Sequence, residues 1–131
     1  MASGSGKVKV FAERDRALVL IDTATTQTRA LKKYVAASVR RDARQVRPHH
    51  GPFEVRIWTS VLADKRGYHD VDNIAKAVLD ALSGVFWQDD RQVVRLISER
   101  FEGDANRIAV KLRQLDTPVT AVDLDKSLLD D

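Results

Sequence analysis

No cysteine occurs among the 131 residues, so no disulfide can brace the fold and no thiolate can hold a metal. Long apolar runs are missing too: the longest, ALVLI at 17–21, falls far short of the roughly 20 residues that a membrane span requires. The opening MASGSG has none of the apolar core of a signal peptide and reads as a flexible leader or a cloning remnant, outside the fold. Together these absences point to a soluble, cytoplasmic protein. Histidine is confined to positions 49, 50 and 69, which leaves little material for a tetrahedral zinc site, with His69 the exception to watch.

What remains is enough for one core, because a chain of this length buries about two thirds of its unfolded surface. The net charge of +3 hides an asymmetry. From Asp116 onward there are five acids and one base, so residues 1–115 carry 21 bases against 14 acids, a charge of +7. A basic body with an acidic tail suggests a nucleic acid partner.

Hydrophobic periodicity orders the chain. Val8 and Val10 alternate with lysines, and ERDR at 13–16 separates them from ALVLI, which predicts a hairpin. From Thr23 the period becomes helical, through Leu31, Tyr34, Val35, Ser38 and Val39, with Thr23 or Thr25 as N-cap and a stop before Pro48. FEVRIWTSV at 53–61 alternates strictly and predicts a half-buried strand. A second helix carries the stripe Ile74, Ala77, Val78, Ala81, Leu82 and Val85, and Gly84 ends it. VVRLISERF at 93–101 and RIAVKLR at 107–113 read as strands joined by a turn around EGDAN, a C-terminal hairpin. The order β-β-α-β-α-β-β predicts an α+β fold, a single small mixed sheet with two helices on one face. One domain is expected over 7–115, and the tail, 116–131, reads as disordered or a short helix.

Acid gathers at two places. HDVDN at 69–73 holds Asp70 and Asp72, which in an extended segment would project together just before the second helix. Asp72, Lys76 and Asp80 then follow at i, i+4 and i+8 on the side away from the apolar stripe. WQDDR at 87–91 lies on a loop beyond the helix end, from which Asp89 or Asp90 could fold back. Carboxylates held within a few ångströms repel one another unless a cation neutralises them. Magnesium suits such a set, since it accepts one or two carboxylates, keeps several waters and takes its other ligands from substrate phosphate. Each acid alone has a plainer reading: Asp70 or Asp72 as a helix cap, Lys76 as an ion-pair partner, Asp89 and Asp90 as a turn.

D-x-D-N-x-x-K at 70–76, A-V-L-D-A-L at 77–82 and F-W-x-D-D-x-Q-V-V at 86–94 together resemble the signature of RusA-type Holliday junction resolvases. The resemblance spans about residues 67–113, roughly a third of the chain. Upstream the match is loose, with Arg14 and Arg16 standing for the family's basic segment. It implies a homodimeric, magnesium-dependent endodeoxyribonuclease of bacterial or phage origin, with manganese as a substitute ion, that nicks opposing strands of branched, four-way DNA symmetrically. It also implies Asp70, Asp72 and Asp90 as metal-binding carboxylates, Lys76 as the essential base beside them, Asp89 as a further metal ligand, Asp80 and Asn73 in supporting roles, and Arg100 on phosphate.

For DNA contacts, Lys33, Arg40, Arg44 and Arg47 share a face of the first helix opposite Leu31, Val35 and Val39, a track that would position the backbone without reading sequence, unless it is only a solvated face. Tyr68 and His69 are placed to stack on an unpaired base. Trp58 and Trp87 read as packing. Two other functions fit parts of the pattern. A silent relative that binds branched DNA without cutting it is opposed by the intact acids, and a nucleotide phosphohydrolase would need a closed pocket in place of an open basic groove.

Overall fold

A computed structural model of the chain describes residues 8–24, 27–62, 70–116 and 121–130. The alternation at the N-terminus becomes two strands, β1 (Val8–Ala12) and β2 (Arg16–Ile21), paired antiparallel with Val10 opposite Val19. After β2 the chain forms helix α1 (Thr28–Asp42), strand β3 (Phe53–Leu62), helix α2 (Val71–Leu82), strand β4 (Val93–Gly103) and strand β5 (Arg107–Gln114). The five strands form one mixed sheet in the order β1-β2-β5-β3-β4. A 3-10 turn at Lys126–Asp130 is fully exposed.

The core lies between one face of the sheet and the two helices. Val8, Val10, Val19, Ile21, Val55, Ile57, Ile108 and Val110 are buried from the sheet side, and they meet Leu31 and Val35 of α1 and Ile74, Val78 and Leu82 of α2. Alternation in β3 is complete along all ten residues, with Phe53, Val55, Ile57, Thr59 and Val61 buried and the intervening residues half-buried. The first helix is tied to β1 by two hydrogen bonds to the Val8 carbonyl, from Ser38 Oγ (3.0 Å) and an Arg41 guanidinium nitrogen (2.9 Å).

Three expectations need correction. α1 begins at Thr28 with Gln27 in the N-cap position, not at Thr23, and Thr25 lies outside the described residues. It ends at Asp42, so Arg44 and Arg47 follow the helix and do not share its face with Lys33 and Arg40. The third is the C-terminal pair. β4 and β5 are not a hairpin, because β3 lies between them, parallel to β4 and antiparallel to β5. The physical reason is burial. β3 is the most regularly amphipathic strand and gains most from a neighbour on each edge. The turn between β4 and β5 is strapped across its end, where Ser60 Oγ donates to the Ala105 carbonyl (2.7 Å) and Asn106 Oδ1 accepts from the Leu62 amide (3.0 Å).

The sheet face away from the helices has no covering layer among the described residues and carries a charge ladder. Glu54, on β3, accepts from Arg113 on β5 (2.7 Å) and Arg95 on β4 (2.7 Å), and Arg56 donates to Glu99 (3.0 Å). Hydrogen bonds from Arg113 and then Arg95 pull the Glu54 carboxyl down to about 2. A lowered folded-state pKa stabilises the fold above the unfolded value, and that contribution is lost as pH falls from about 4.5 towards 2. Glu54→Gln is therefore expected to cost about 1–2 kcal/mol at neutral pH, with much of that difference gone at pH 2. Denaturant unfolding of both proteins at the two pH values checks this, and a difference that does not change with pH overturns it.

Candidate active site

α2 is held over the sheet by the stripe Ile74, Ala77, Val78, Ala81 and Leu82, which turns Asp72 and Lys76 outward. Asp70 occupies the N-cap position with extended backbone angles (φ −78°, ψ 155°), and its side chain makes no capping hydrogen bond. Because the helix begins at Val71, Asp72 is already helical, and the extended geometry that would aim Asp70 and Asp72 alike does not apply. Asp72 Oδ1 accepts from the Asn73 amide (3.0 Å). Lys76 stands one turn further along the same side, as the i, i+4 spacing requires. Ser98 Oγ on β4 donates to the Val71 carbonyl (3.2 Å), fixing the mouth of α2 against that strand.

The second acidic segment is seated from behind. Trp87 is fully buried, its ring centroid 5.3 Å from that of Phe53, and its Nε1 donates to Ser83 Oγ (3.0 Å). Gly84 makes the reversal possible: its φ of 83° is a left-handed value that side-chain-bearing residues avoid, and its amide donates to the Trp87 carbonyl (2.7 Å). A 3-10 turn at Asp90–Gln92 then leads into β4.

Gln92 clamps this turn with all the capacity of its amide. Its Oε1 accepts from the amides of Gln88 (2.8 Å) and Asp89 (3.0 Å), and its Nε2 donates to the carbonyls of His49 (2.7 Å) and Gly51 (2.8 Å). The Asp89 side chain forms a capping box with Gln92 and also accepts from the Arg91 amide (2.9 Å), a bond that with the nearby Arg91 side chain holds its carboxyl below the ordinary range. Asp89 is thus committed to local structure, whereas Asp90 is released to the surface.

The result is a groove of about 430 Å³ between α2 and β4, lined by Asp72, Lys76 and Asp90 together with Leu79, Leu96 and Ser98. Two of the four expected carboxylates, Asp72 and Asp90, are thereby brought together with Lys76. Asp70, Asp89 and Asp80 do not line the groove. Among the described residues, no three His, Cys, Asp or Glu side chains gather closely enough to hold a metal ion. An all-protein cage, as zinc prefers, is not offered there. Two exposed oxygen donors on an open, water-accessible groove suit magnesium, which makes few protein bonds and keeps its waters.

The basic residues divide between locations. Arg100 lies on β4 two residues beyond Ser98, where alternation gives it the same face as Ser98 and Leu96. Arg14, Arg16 and Arg47 line a separate cavity of about 360 Å³ at the β1–β2 turn, where Arg16 pairs with Glu13 (2.8 Å). Arg47 donates to the carbonyls of Arg44 and Val46 (2.7 and 2.8 Å). Lys33 borders another depression beside Tyr34, and Arg40 and Arg44 are exposed. Tyr68 and His69 lie outside the described residues. Sequence reasoning gave Gln92 no role, yet the Asp89-x-x-Gln92 spacing is a capping-box signature and could have found it. Ser98 and Leu96 had no such signal, because their place in the groove depends on which strand adjoins α2.

A family model described as endodeoxyribonuclease RusA matches residues 12–113, which carries the likeness upstream through β2, α1 and β3. No curated protein matches the sequence.

Gln92→Ala removes four hydrogen bonds and leaves two amides and two carbonyls to find water. We expect a loss of about 1–3 kcal/mol by thermal unfolding, with helix and sheet content unchanged. A change below about 0.5 kcal/mol would mean the loop is held by Trp87 alone.

Proposed function

The chain belongs to the RusA family of endodeoxyribonucleases, hydrolases of DNA phosphodiester bonds, and on that premise we propose that it resolves four-way junctions by paired, symmetric nicks with magnesium as cofactor. The observation that carries this reading is the meeting of Asp72, Lys76 and Asp90 in one groove at the mouth of α2.

Asp72 and Asp90 would hold the ion, with manganese as a substitute and with Asp70 and Asp89 nearest in sequence to add an oxygen. Bound there, a divalent ion supplies Lewis acidity and lowers the pKa of a coordinated water. The remaining work falls to the chain. Lys76 places a fixed positive charge beside the two carboxylates, where negative charge grows on the phosphoryl oxygens and the departing 3′ oxygen. The groove leaves room for a DNA strand to lie along β4, with Arg100 on that strand face as the nearest phosphate contact. Asn73 at the helix mouth and Asp80 near the far end of α2 would take supporting roles.

Beyond the groove, Lys33, Arg40, Arg44 and Arg47, with Arg14 and Arg16, would contact the phosphate backbone and position the junction without reading its sequence. Tyr68 and His69, just ahead of Asp70, would stack on an unpaired base where the arms open. One site per subunit cannot cut two strands in concert, so the reading includes a two-fold homodimer matched to the junction. No helix among the described residues is long and apolar enough to cross a membrane. That accords with an enzyme acting on DNA in the cytoplasm of a bacterium or a phage-infected cell. Within the chain, the nuclease domain would occupy residues 7–115, between a short leader at 1–6 and the acidic tail.

The test uses labelled four-way junctions, linear duplex and free nucleotides, with and without magnesium. Symmetric nicking of the junction alone is expected from the native chain, together with a loss of at least about 100-fold in Asp72→Asn and Lys76→Met while junction binding survives. Binding without cleavage by the native chain would identify a silent relative, and turnover of nucleotides would identify a phosphohydrolase. Either outcome defeats the proposal. Raising salt from 50 to 200 mM should weaken junction binding by about 1000-fold or more if six or more phosphates are contacted, read by a mobility shift.

A further inference from the structure

Behind the β1–β2 turn, the cavity of about 360 Å³ shares no lining residue with the groove at α2. Its volume falls in the range of small-ligand sites, roughly 300–1,000 Å³. Buried Phe53, Phe86 and Leu112 line it from within, while the exposed Arg14, Arg16 and Arg47 reach it from two separate segments, the β1–β2 hairpin and the stretch after α1. A DNA backbone needs only a charged surface to lie on. An apolar recess bordered by three arginines suits a ligand that has an apolar body as well as an anionic end.

The other lining residues narrow the class. The exposed His49 ring stands edge-on to Phe53, with centroids 6.0 Å apart at 83°, so two flat aromatic surfaces at right angles border the cavity. Such surfaces take nucleobases by stacking, whichever base is offered. The side-chain amides of Gln45 and Gln114 also line the cavity, and neither is hydrogen-bonded to another described residue. Each carries donors and an acceptor, the complement of a base edge. Arg16 is already answered by Glu13 at 2.8 Å and by neighbouring Asp15, which together hold its pKa above the ordinary value. Arg14 and Arg47 are left for an anion. One guanidinium nitrogen of Arg47 is anchored on the Arg44 and Val46 carbonyls, which fixes the fork while its other nitrogens stay available to phosphate oxygens.

We propose that this cavity is a nucleotide site, taking one nucleoside monophosphate unit with its base against His49, Phe53 and Phe86 and its phosphate on Arg14 and Arg47. The unit comes either as a free nucleotide or as an unpaired nucleotide of a strand, and the chemistry of recognition is the same. The wall of the cavity is also the back of the turn that carries Asp90. The His49 amide donates to the Phe86 carbonyl (3.0 Å), the His49 carbonyl accepts from Gln92 Nε2 (2.7 Å), and the Phe53 ring centroid lies 5.3 Å from that of Trp87. An occupant therefore braces this turn from behind. What the bracing means for cutting rests on the nuclease reading; the binding does not.

Trp58→Phe leaves Trp87 as the only tryptophan, a reporter placed beside the cavity. Deoxyadenosine monophosphate, deoxyadenosine and inorganic phosphate are titrated into this protein by calorimetry and by Trp87 fluorescence. Saturable binding of the monophosphate is expected, at least about 10-fold tighter than either fragment, with a change in Trp87 emission and a weakening of about 10-fold or more in Arg14→Ala/Arg47→Ala. Both arginines are exposed, so the double variant should keep its Tm. A duplex with one extrahelical fluorescent purine, beside the same duplex with an abasic residue there, separates the two sources. Binding of the free monophosphate assigns the site to the free form; quenching of the extrahelical purine that the double variant loses, without binding of the free monophosphate, assigns it to a strand. Neither result, inorganic phosphate binding as tightly as the nucleotide, or an unchanged double variant would each overturn the site. Binding that leaves Trp87 emission unchanged would overturn the link to the turn. None of these readouts is DNA cleavage, so failure of the nuclease reading would leave them standing, and their failure would leave that reading untouched.

Discussion

Parallel pairing of β3 with β4 is the constraint on which the groove depends. Two parallel neighbours cannot be joined by a tight turn, because the chain must travel back along the sheet before it can start again in the same direction. α2 makes that return journey, and its apolar stripe dictates that it does so against the buried face. Its N-terminus therefore lies beside the middle of β4, where Ser98 meets the Val71 carbonyl, and its C-terminus delivers the chain to the start of β4. Asp72 and Lys76 come from the outbound end of this unit and Asp90 from its return, so one crossover brings residues eighteen positions apart in sequence into one groove.

That arrangement also resolves the difficulty of clustered acid. Four carboxylates forced together would carry a large repulsive cost, and the chain limits it by giving them different work. Asp89 is tied down by the Arg91 amide and its side chain, and Asp70 takes the N-cap position of α2. Only Asp72 and Asp90 line the groove, beside the positive charge of Lys76. Two carboxylates and a lysine are a modest electrostatic load for an exposed surface. The support behind Asp90 is correspondingly stiff: a fully buried tryptophan on one side and a fully hydrogen-bonded glutamine amide on the other.

The two faces of the sheet follow different rules. One is covered by helices and mostly apolar, with Thr59 a buried polar residue on it. The other is laced with ion pairs among Glu54, Arg56, Arg95, Glu99 and Arg113 above half-buried carbon, with the Arg56 guanidinium 4.8 Å from the centre of the Trp58 ring. Long basic side chains lie over apolar surface there without leaving water.

The amino-acid sequence determined the elements and their polarity. Strict alternation in β3, the helical stripe of α2, the Gly84 stop and the two acidic segments were legible because side-chain direction in a strand or helix is a local property with a fixed period. The family signature in 70–94 was legible for the same reason, since it is a matter of residue types at short spacing. Sequence did not determine which strands are neighbours. Reading 93–113 as a hairpin followed the shortest connection, whereas β3 inserted itself because burying both its edges gains more than a tight turn saves. That long-range choice decided the rest: that Leu96 and Ser98 border the site, that Asp90 reaches Asp72 while Asp70 and Asp89 take local posts, and that β4 is left as the open edge.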